Sequence, residues 1–105
     1  MTVFYEAQDA QGAPRWVVTH EQSGEQRLFV WLANTQKWHR NAAVEDEFYD
    51  FFSTMIFVPI TFDEVVNKIK NWAPITKEGT EWIVNALKNQ SDEEILSVEE
   101  IALVH

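Results

Sequence analysis

The sequence predicts an α+β domain in which an antiparallel meander of three to four strands (residues 3–40) packs against three to four helices (residues 42–104). Two observations predict this class. Up to residue 40, short runs rich in β-branched and aromatic residues alternate with turn signals, and from residue 41 apolar residues recur at helical spacing. The length of 105 residues fits a single domain, strand-rich over 1–40 and helix-rich and acidic over 41–105.

Four strands are predicted in the first part of the chain. They cover residues 3–8, 15–20, 26–33 and 37–40, with turn signals between them. The third is apolar at every second position on both sides, which predicts a central strand covered on both faces. One cover would be the helical layer, and the other would be the C-terminal segment, a second copy of the chain or a partner.

The pairing of these strands predicts a row of tryptophans. Residues that face each other across a tight hairpin have a constant index sum, which is 47 if Ser23 and Gly24 form the first turn and 69 for the next hairpin. Trp31 then faces both Trp16 and Trp38. This row fits a core, an exposed protein-recognition platform, or a base-stacking platform. The same register puts His20 and His39 on opposite faces.

Four helices are predicted in the second part. The first follows a cap at Asn41 and extends to Met55, the second begins at the capping box of Thr61, and Thr76 and Ser91 cap the others. The chain between the first two helices (residues 56–60) is predicted to be an extended link because it contains proline. Residues 101–104 are compatible with a helix or a strand. The apolar stripes are Val44, Phe48, Phe51, Phe52 and Met55; Phe62, Val65, Val66, Ile69 and Trp72; Trp82, Ile83, Ala86 and Leu87; and Ile95, Val98, Ile101 and Ala102.

Negative charge is concentrated in the second part of the chain. The net charge is −9, and residues 1–40 hold equal numbers of acids and bases, so the whole excess lies in residues 41–105. Nucleic-acid binding draws on lysine and arginine, so direct nucleic-acid binding is disfavoured. A protein partner with a basic surface is favoured instead.

The densest acidic cluster is predicted on the first helix. Like charges three or four residues apart destabilise a helix by roughly 0.2–0.5 kcal/mol per pair. The helix dipole explains acids in first turns, but it does not explain the shortage of bases. The cluster is therefore predicted to dock a basic partner, for example by imitating nucleic-acid phosphates, with a solvated helix face or a divalent-cation site as alternatives. The predicted partner-binding residues are Glu45, Asp46, Glu47, Asp50, Trp31, Trp38 and Arg40.

Few residue patterns point to catalysis. The chain has no cysteine, only three glycines, and no serine in a nucleophile elbow. His20, His39 and His105 lack zinc-binding spacing. We therefore predict no catalytic residue, metal or cofactor, and expect a non-enzymatic protein-binding module such as an inhibitor or adaptor. The alternatives are a small hydrolase or metal-dependent enzyme that uses the acids with His39, and a structural subunit of an assembly.

The expected location is the cytoplasm, because no apolar run reaches the roughly 18 residues of a membrane span and the first residues lack a signal-peptide pattern. Homodimerisation through the doubly apolar third strand is compatible with this interpretation.

Overall fold

The computed structural model describes the backbone of residues 2–104 and the side chains of residues 2–101. His105 and the side chain of Ala102, both used in the predictions above, lie outside the described residues. Within them, six strands and four α-helices form an α+β fold, which confirms the predicted class with a higher strand count. The strands are β1 Thr2–Gln8, β2 Pro14–Glu21, β3 Leu28–Leu32, β4 Lys37–Arg40, β5 Ile56–Ile60 and β6 Ile95–Leu96. The helices are α1 Ala42–Tyr49, α2 Phe62–Asn71, α3 Glu81–Lys88 and α4 Val98–Val104, and a 3₁₀ turn at Asp92–Glu94 precedes β6.

The strands form one antiparallel sheet in the order β5-β1-β2-β3-β4-β6. Every residue of β3 is buried, which confirms that the third strand is central and covered on both faces. Both covers belong to the chain itself. On one face Trp31 and Trp38 pack with Val65 of α2 and Ile101 of α4. On the other face the sheet packs with α1 and α3 through Val44 and Leu87. A homodimer would therefore have to use a surface other than β3.

The register between β2 and β3 differs from the predicted one. Val18 faces Val30, which gives an index sum of 48 rather than 47. The reason is that Ser23 and Gly24 do not form a two-residue turn; the backbone N–H of Glu21 bonds the carbonyl of Arg27 at 3.1 Å and closes a longer loop. An odd shift of register turns one strand over relative to the other.

This shift breaks the predicted tryptophan row. Trp31 does face Trp38, and their ring centroids lie 5.4 Å apart, as predicted for that hairpin. Trp16 instead belongs to the opposite face, where it packs near α1 and α3. His20 and His39 share that face, because Val18 and Val30 connect them across the ladder, so their predicted separation is wrong.

The two elements between α1 and residue 71 are β5 and α2. The helix that begins at Thr61 is confirmed, with both hydrogen bonds of its capping box formed to Glu64. The predicted link at residues 56–60 is a strand, β5, which pairs with β1 at the edge of the sheet. Proline is tolerated there because an edge strand has backbone groups that need no partner strand.

The last two helices begin later than predicted. α3 has Thr80, not Thr76, as its N-cap. Ser91 caps no α-helix; the chain first makes the 3₁₀ turn and then β6, whose Leu96 faces Trp38 and covers the free edge of β4. α4 follows a second capping box, in which the backbone N–H groups of Ser97 and Glu100 each bond the other's side chain at 3.1 Å. Residues 101–104 are therefore helical.

Among the described residues, no helix combines the length and apolar character needed to cross a bilayer.

Candidate functional site

The chain leaves α1 through a hydrogen-bonded turn. The helix ends at Tyr49 rather than at the predicted Met55, because Asp50 adopts an extended conformation. The Asp50 carboxylate accepts the backbone N–H of Phe52 at 2.9 Å. The Ser53 hydroxyl donates to the Glu47 carboxylate and accepts the backbone N–H of Met55 at 3.0 Å. Residues 50–55, called the Phe turn below, are thus held by several local bonds.

The Phe turn displays two phenylalanines outward. Phe51 is 92% exposed and Phe52 is 86% exposed, and their rings meet edge to face with centroids 5.4 Å apart. Burying a side chain of this size is worth about 1.5–3 kcal/mol, so leaving two in water forgoes substantial stability. Large exposed apolar patches are more frequent at interaction sites than on the rest of a protein surface, so this pair is a candidate contact region.

Carboxylates without ion pairs among the described residues lie at the end of α1 and at the start of the Phe turn. Asp46, Glu47 and Asp50 are exposed, and none of the three forms an ion pair with another described residue. The sequence has no lysine or arginine from residue 41 to residue 67. Glu45 differs, because it pairs with Arg40 at 3.2 Å and raises the pKa of that guanidinium. The uncompensated negative charge at this site therefore comes from Asp46, Glu47 and Asp50.

A groove of about 310 Å³ lies between α1 and α3. Its floor includes Val44 and Leu87, which are buried. Met55 of the Phe turn and Trp82 of α3 form part of its walls, and Trp82 is 69% exposed. Glu47 is the charged residue that lines it. This α1–α3 groove shares Met55 with the Phe turn, and Glu47, which also lines it, accepts the hydrogen bond from Ser53 of that turn, so the two features are adjacent.

The structure divides the seven predicted partner-binding residues into three groups. Asp46, Glu47 and Asp50 are all exposed, the first two at the end of α1 and the third at the start of the Phe turn. Glu45 and Arg40 form a partly buried ion pair next to it. Trp31 and Trp38 are only 2% and 1% exposed, so they cannot contact a partner docked on the folded chain. Of the three interpretations left open for these tryptophans, their burial agrees with a place in the core, because α2 and α4 cover that face of the sheet.

The two described histidines are built into the interior. His39 is buried, its Nε2 lies 2.6 Å from the Thr35 hydroxyl and its Nδ1 lies 3.3 Å from the Gln90 side-chain oxygen, so no carboxylate orients it. His20 Nε2 lies 2.6 Å from the Tyr49 hydroxyl. Burial lowers the pKa of both histidines. Within residues 2–101, no cluster of three or more histidine or carboxylate side chains is arranged to hold a metal ion.

The most exposed residues of this surface were not among those predicted from sequence. Phe51 and Phe52 fall in the apolar stripe predicted for the first helix, but α1 ends before them at Tyr49. Asp50 and Ser53 offered a contrary signal, because their side chains readily bond nearby backbone N–H groups and end helices. Trp82 likewise falls in the apolar stripe predicted for the third helix, yet it is 69% exposed.

Comparison of the chain with protein-family models, with curated proteins and with solved structures gives no match. Function is therefore inferred from the geometry and charge of this surface.

Proposed function

We propose that this chain is a small, acidic, non-enzymatic protein-binding module that docks through the Phe turn and the carboxylates beside it. Its partner is a larger protein with a basic surface, for which the chain acts as an inhibitor or adaptor. A surface that otherwise receives nucleic-acid phosphates would meet this description. The proposal is carried by one observation: two almost fully exposed phenylalanines lie in a turn held by local hydrogen bonds, next to three carboxylates that form no ion pair with another described residue.

The two kinds of residue have separate roles. Aromatic side chains supply much of the binding energy at protein interfaces, and Phe51 and Phe52 are positioned to be buried by a partner. Carboxylates around them raise the association rate with a basic surface and select against acidic ones. The turn is already held in place, so little conformational entropy is lost on binding.

The negative charge also argues for a different protein as the partner rather than a second copy. Two copies meeting through this surface would bring Asp46, Glu47 and Asp50 against the same residues of the other chain. Like charges placed against each other disfavour association. A basic partner turns the same charges into attraction.

The charge requirement can be tested with neutral variants that keep their hydrogen-bond acceptors. The test variant is the triple Asp46→Asn, Glu47→Gln, Asp50→Asn. The control triple, Asp92→Asn, Glu93→Gln, Glu99→Gln, changes exposed acids elsewhere. Each raises the net charge from −9 to −6, since three carboxylates are removed. Partners captured from the native host's lysate by the original chain are then purified and their binding rates to both variants are measured.

The proposal predicts association with the test triple that is about tenfold slower at low salt, with a weaker dependence on ionic strength, and near-original association with the control triple. Equal effects of both triples would mean that only net charge matters, and would overturn the assignment of this surface. Retained binding by the test triple would overturn it as well.

A further inference from the structure

We infer that the α1–α3 groove receives one large apolar side chain from a basic segment of the partner. This inference rests on the proposed function, because it names the part of the partner that the same surface binds. The groove would serve as the anchoring pocket, while the Phe turn and its carboxylates contact the surroundings of the anchor.

The size and lining of the groove suit a side chain. Its volume of about 310 Å³ is at the lower end of the range for small-molecule sites, so it has room for a single large side chain rather than an extended ligand. Val44 and Leu87 make an apolar floor, and the exposed indole of Trp82 stands beside it as a wall. Tryptophans next to well-packed apolar pockets are frequent binding hot spots.

The negative charge around the groove favours a basic segment of the partner as the source of the apolar side chain. Glu47 lines the groove, and Asp46 and Asp50 lie within one helical turn of it. Lysine or arginine residues close to the anchor in the partner would meet these carboxylates. A second copy of this chain is a poor occupant, because its own Phe turn carries the same carboxylates beside it.

The groove can be blocked without touching its floor. Ala86 of α3 and Ala43 of α1 are exposed residues that line it, so Ala86→Trp and Ala43→Trp each place an indole in the space. Ala42→Trp is the matched control, because Ala42 is exposed on α1 but does not line the groove. Circular dichroism establishes whether each variant is folded. Two blocking variants are used so that the test can still be made if one of them does not fold.

The probes are three short peptides that differ in one feature. The first carries a central phenylalanine flanked on both sides by arginine and lysine, the second has alanine in place of phenylalanine, and the third has glutamate in place of the basic residues. Calorimetric titration should show binding of the first peptide to the original chain and to Ala42→Trp. Loss of the anchor or blocking of the groove should weaken binding about tenfold or more. The glutamate peptide should not bind.

Three results would overturn the inference: no binding of the first peptide, equal binding of the alanine peptide, or equal binding by Ala86→Trp or Ala43→Trp and the control. Binding of the captured partner to the variants tests the proposed function separately. If the groove variants bind it normally but the triple at Asp46, Glu47 and Asp50 does not, only the groove inference fails. If that triple also binds normally, both fail.

Discussion

The hydroxyl of Ser53 donates a hydrogen bond to the carboxylate of Glu47. This bond connects the Phe turn back to α1, so the exposed rings of Phe51 and Phe52 are presented by a structured turn rather than by a free loop. Presentation of the aromatic pair is therefore the property that this bond should control.

Removing the hydroxyl with Ser53→Ala should loosen the Phe turn. The change removes both hydrogen bonds of the hydroxyl, to Glu47 and from the Met55 backbone N–H, and we expect partner affinity to fall by roughly fivefold, or about 1 kcal/mol. Global stability should change little, because the turn is exposed. The control is Ser23→Ala, which alters an exposed serine in the β2–β3 loop. Calorimetric binding and thermal unfolding measure the two effects, and a large loss of stability with unchanged affinity would refute this role for Ser53.

Two threonines with different hydrogen bonding should respond oppositely to replacement by valine. The Thr19 hydroxyl is buried and has no hydrogen-bond partner among the described residues, whereas the Thr35 hydroxyl bonds His39 and the Leu32 carbonyl. Thr19→Val should be neutral or stabilising by up to about 1 kcal/mol, and Thr35→Val destabilising by about 1–2 kcal/mol. Urea unfolding measures both. Destabilisation by Thr19→Val of the same size as by Thr35→Val would show that its hydroxyl is satisfied, for instance by an internal water.

The carboxylate of Glu6 depends on Lys68. Their charged atoms lie 2.5 Å apart, with 9% of the Glu6 side chain and 31% of the Lys68 side chain exposed. The hydrogen bond from Lys68 lowers the pKa of Glu6. Lys68→Met should destabilise the fold by about 2 kcal/mol, less than for a fully enclosed pair because Lys68 is partly solvated. The effect should be largest above the ordinary Glu6 pKa of 4.5 and should shrink as the pH falls below it, where the carboxyl becomes protonated.

The matched control is Lys70→Met, an exposed lysine of the same helix, for which little change is expected. The double variant Glu6→Gln, Lys68→Met should recover most of the lost stability, because it leaves no buried charge. Chemical unfolding of the four proteins completes a double-mutant cycle. Additive losses from Glu6→Gln and Lys68→Met would contradict the coupling.

Stability should fall as the pH drops through the histidine range. Burial lowers the pKa of His20 and His39 below the ordinary value of 6.5, so the unfolded chain binds protons before the folded chain does. The stabilising contribution is complete above pH 6.5 and is lost as the pH falls from there towards the folded-state pKa. Urea unfolding between about pH 5.5 and 7.5 should show this slope, and His39→Gln should reduce it. A flat profile, or a slope unchanged in His39→Gln, would be inconsistent with neutral buried histidines.

The parts of the fold that the sequence predicts well depend on strong local signals. The capping box of Thr61 and Glu64 marks the start of α2 because both bonds form within four residues. The doubly apolar third strand marks the sheet centre because only a strand covered twice tolerates that pattern. Trp31 and Trp38 pair as predicted because the loop at residues 33–36, although longer than a two-residue turn, is centred on Asn34 and Thr35 and keeps the index sum of 69.

The errors arise where long-range packing decides. The loop between β2 and β3 changed the register by one residue, which moved Trp16 to the other face. Residues 56–60 became β5 because β1 offered a free edge, which the sequence pattern around Pro59 does not reveal. Phe51 and Phe52 matched a helical stripe, yet α1 ends before them. The charge of Asp46, Glu47 and Asp50 was predictable, whereas its placement beside exposed aromatic rings was not.

The most direct measurement compares capture by the original chain with capture by the double variant Phe51→Ser, Phe52→Ser from the same isotope-labelled lysate of the native host. Both residues are almost fully exposed, so the variant should fold normally. A protein-binding role for the Phe turn predicts that basic proteins enriched on the original chain are depleted at least about tenfold on the variant. Equal recovery of the same proteins on both chains would contradict it.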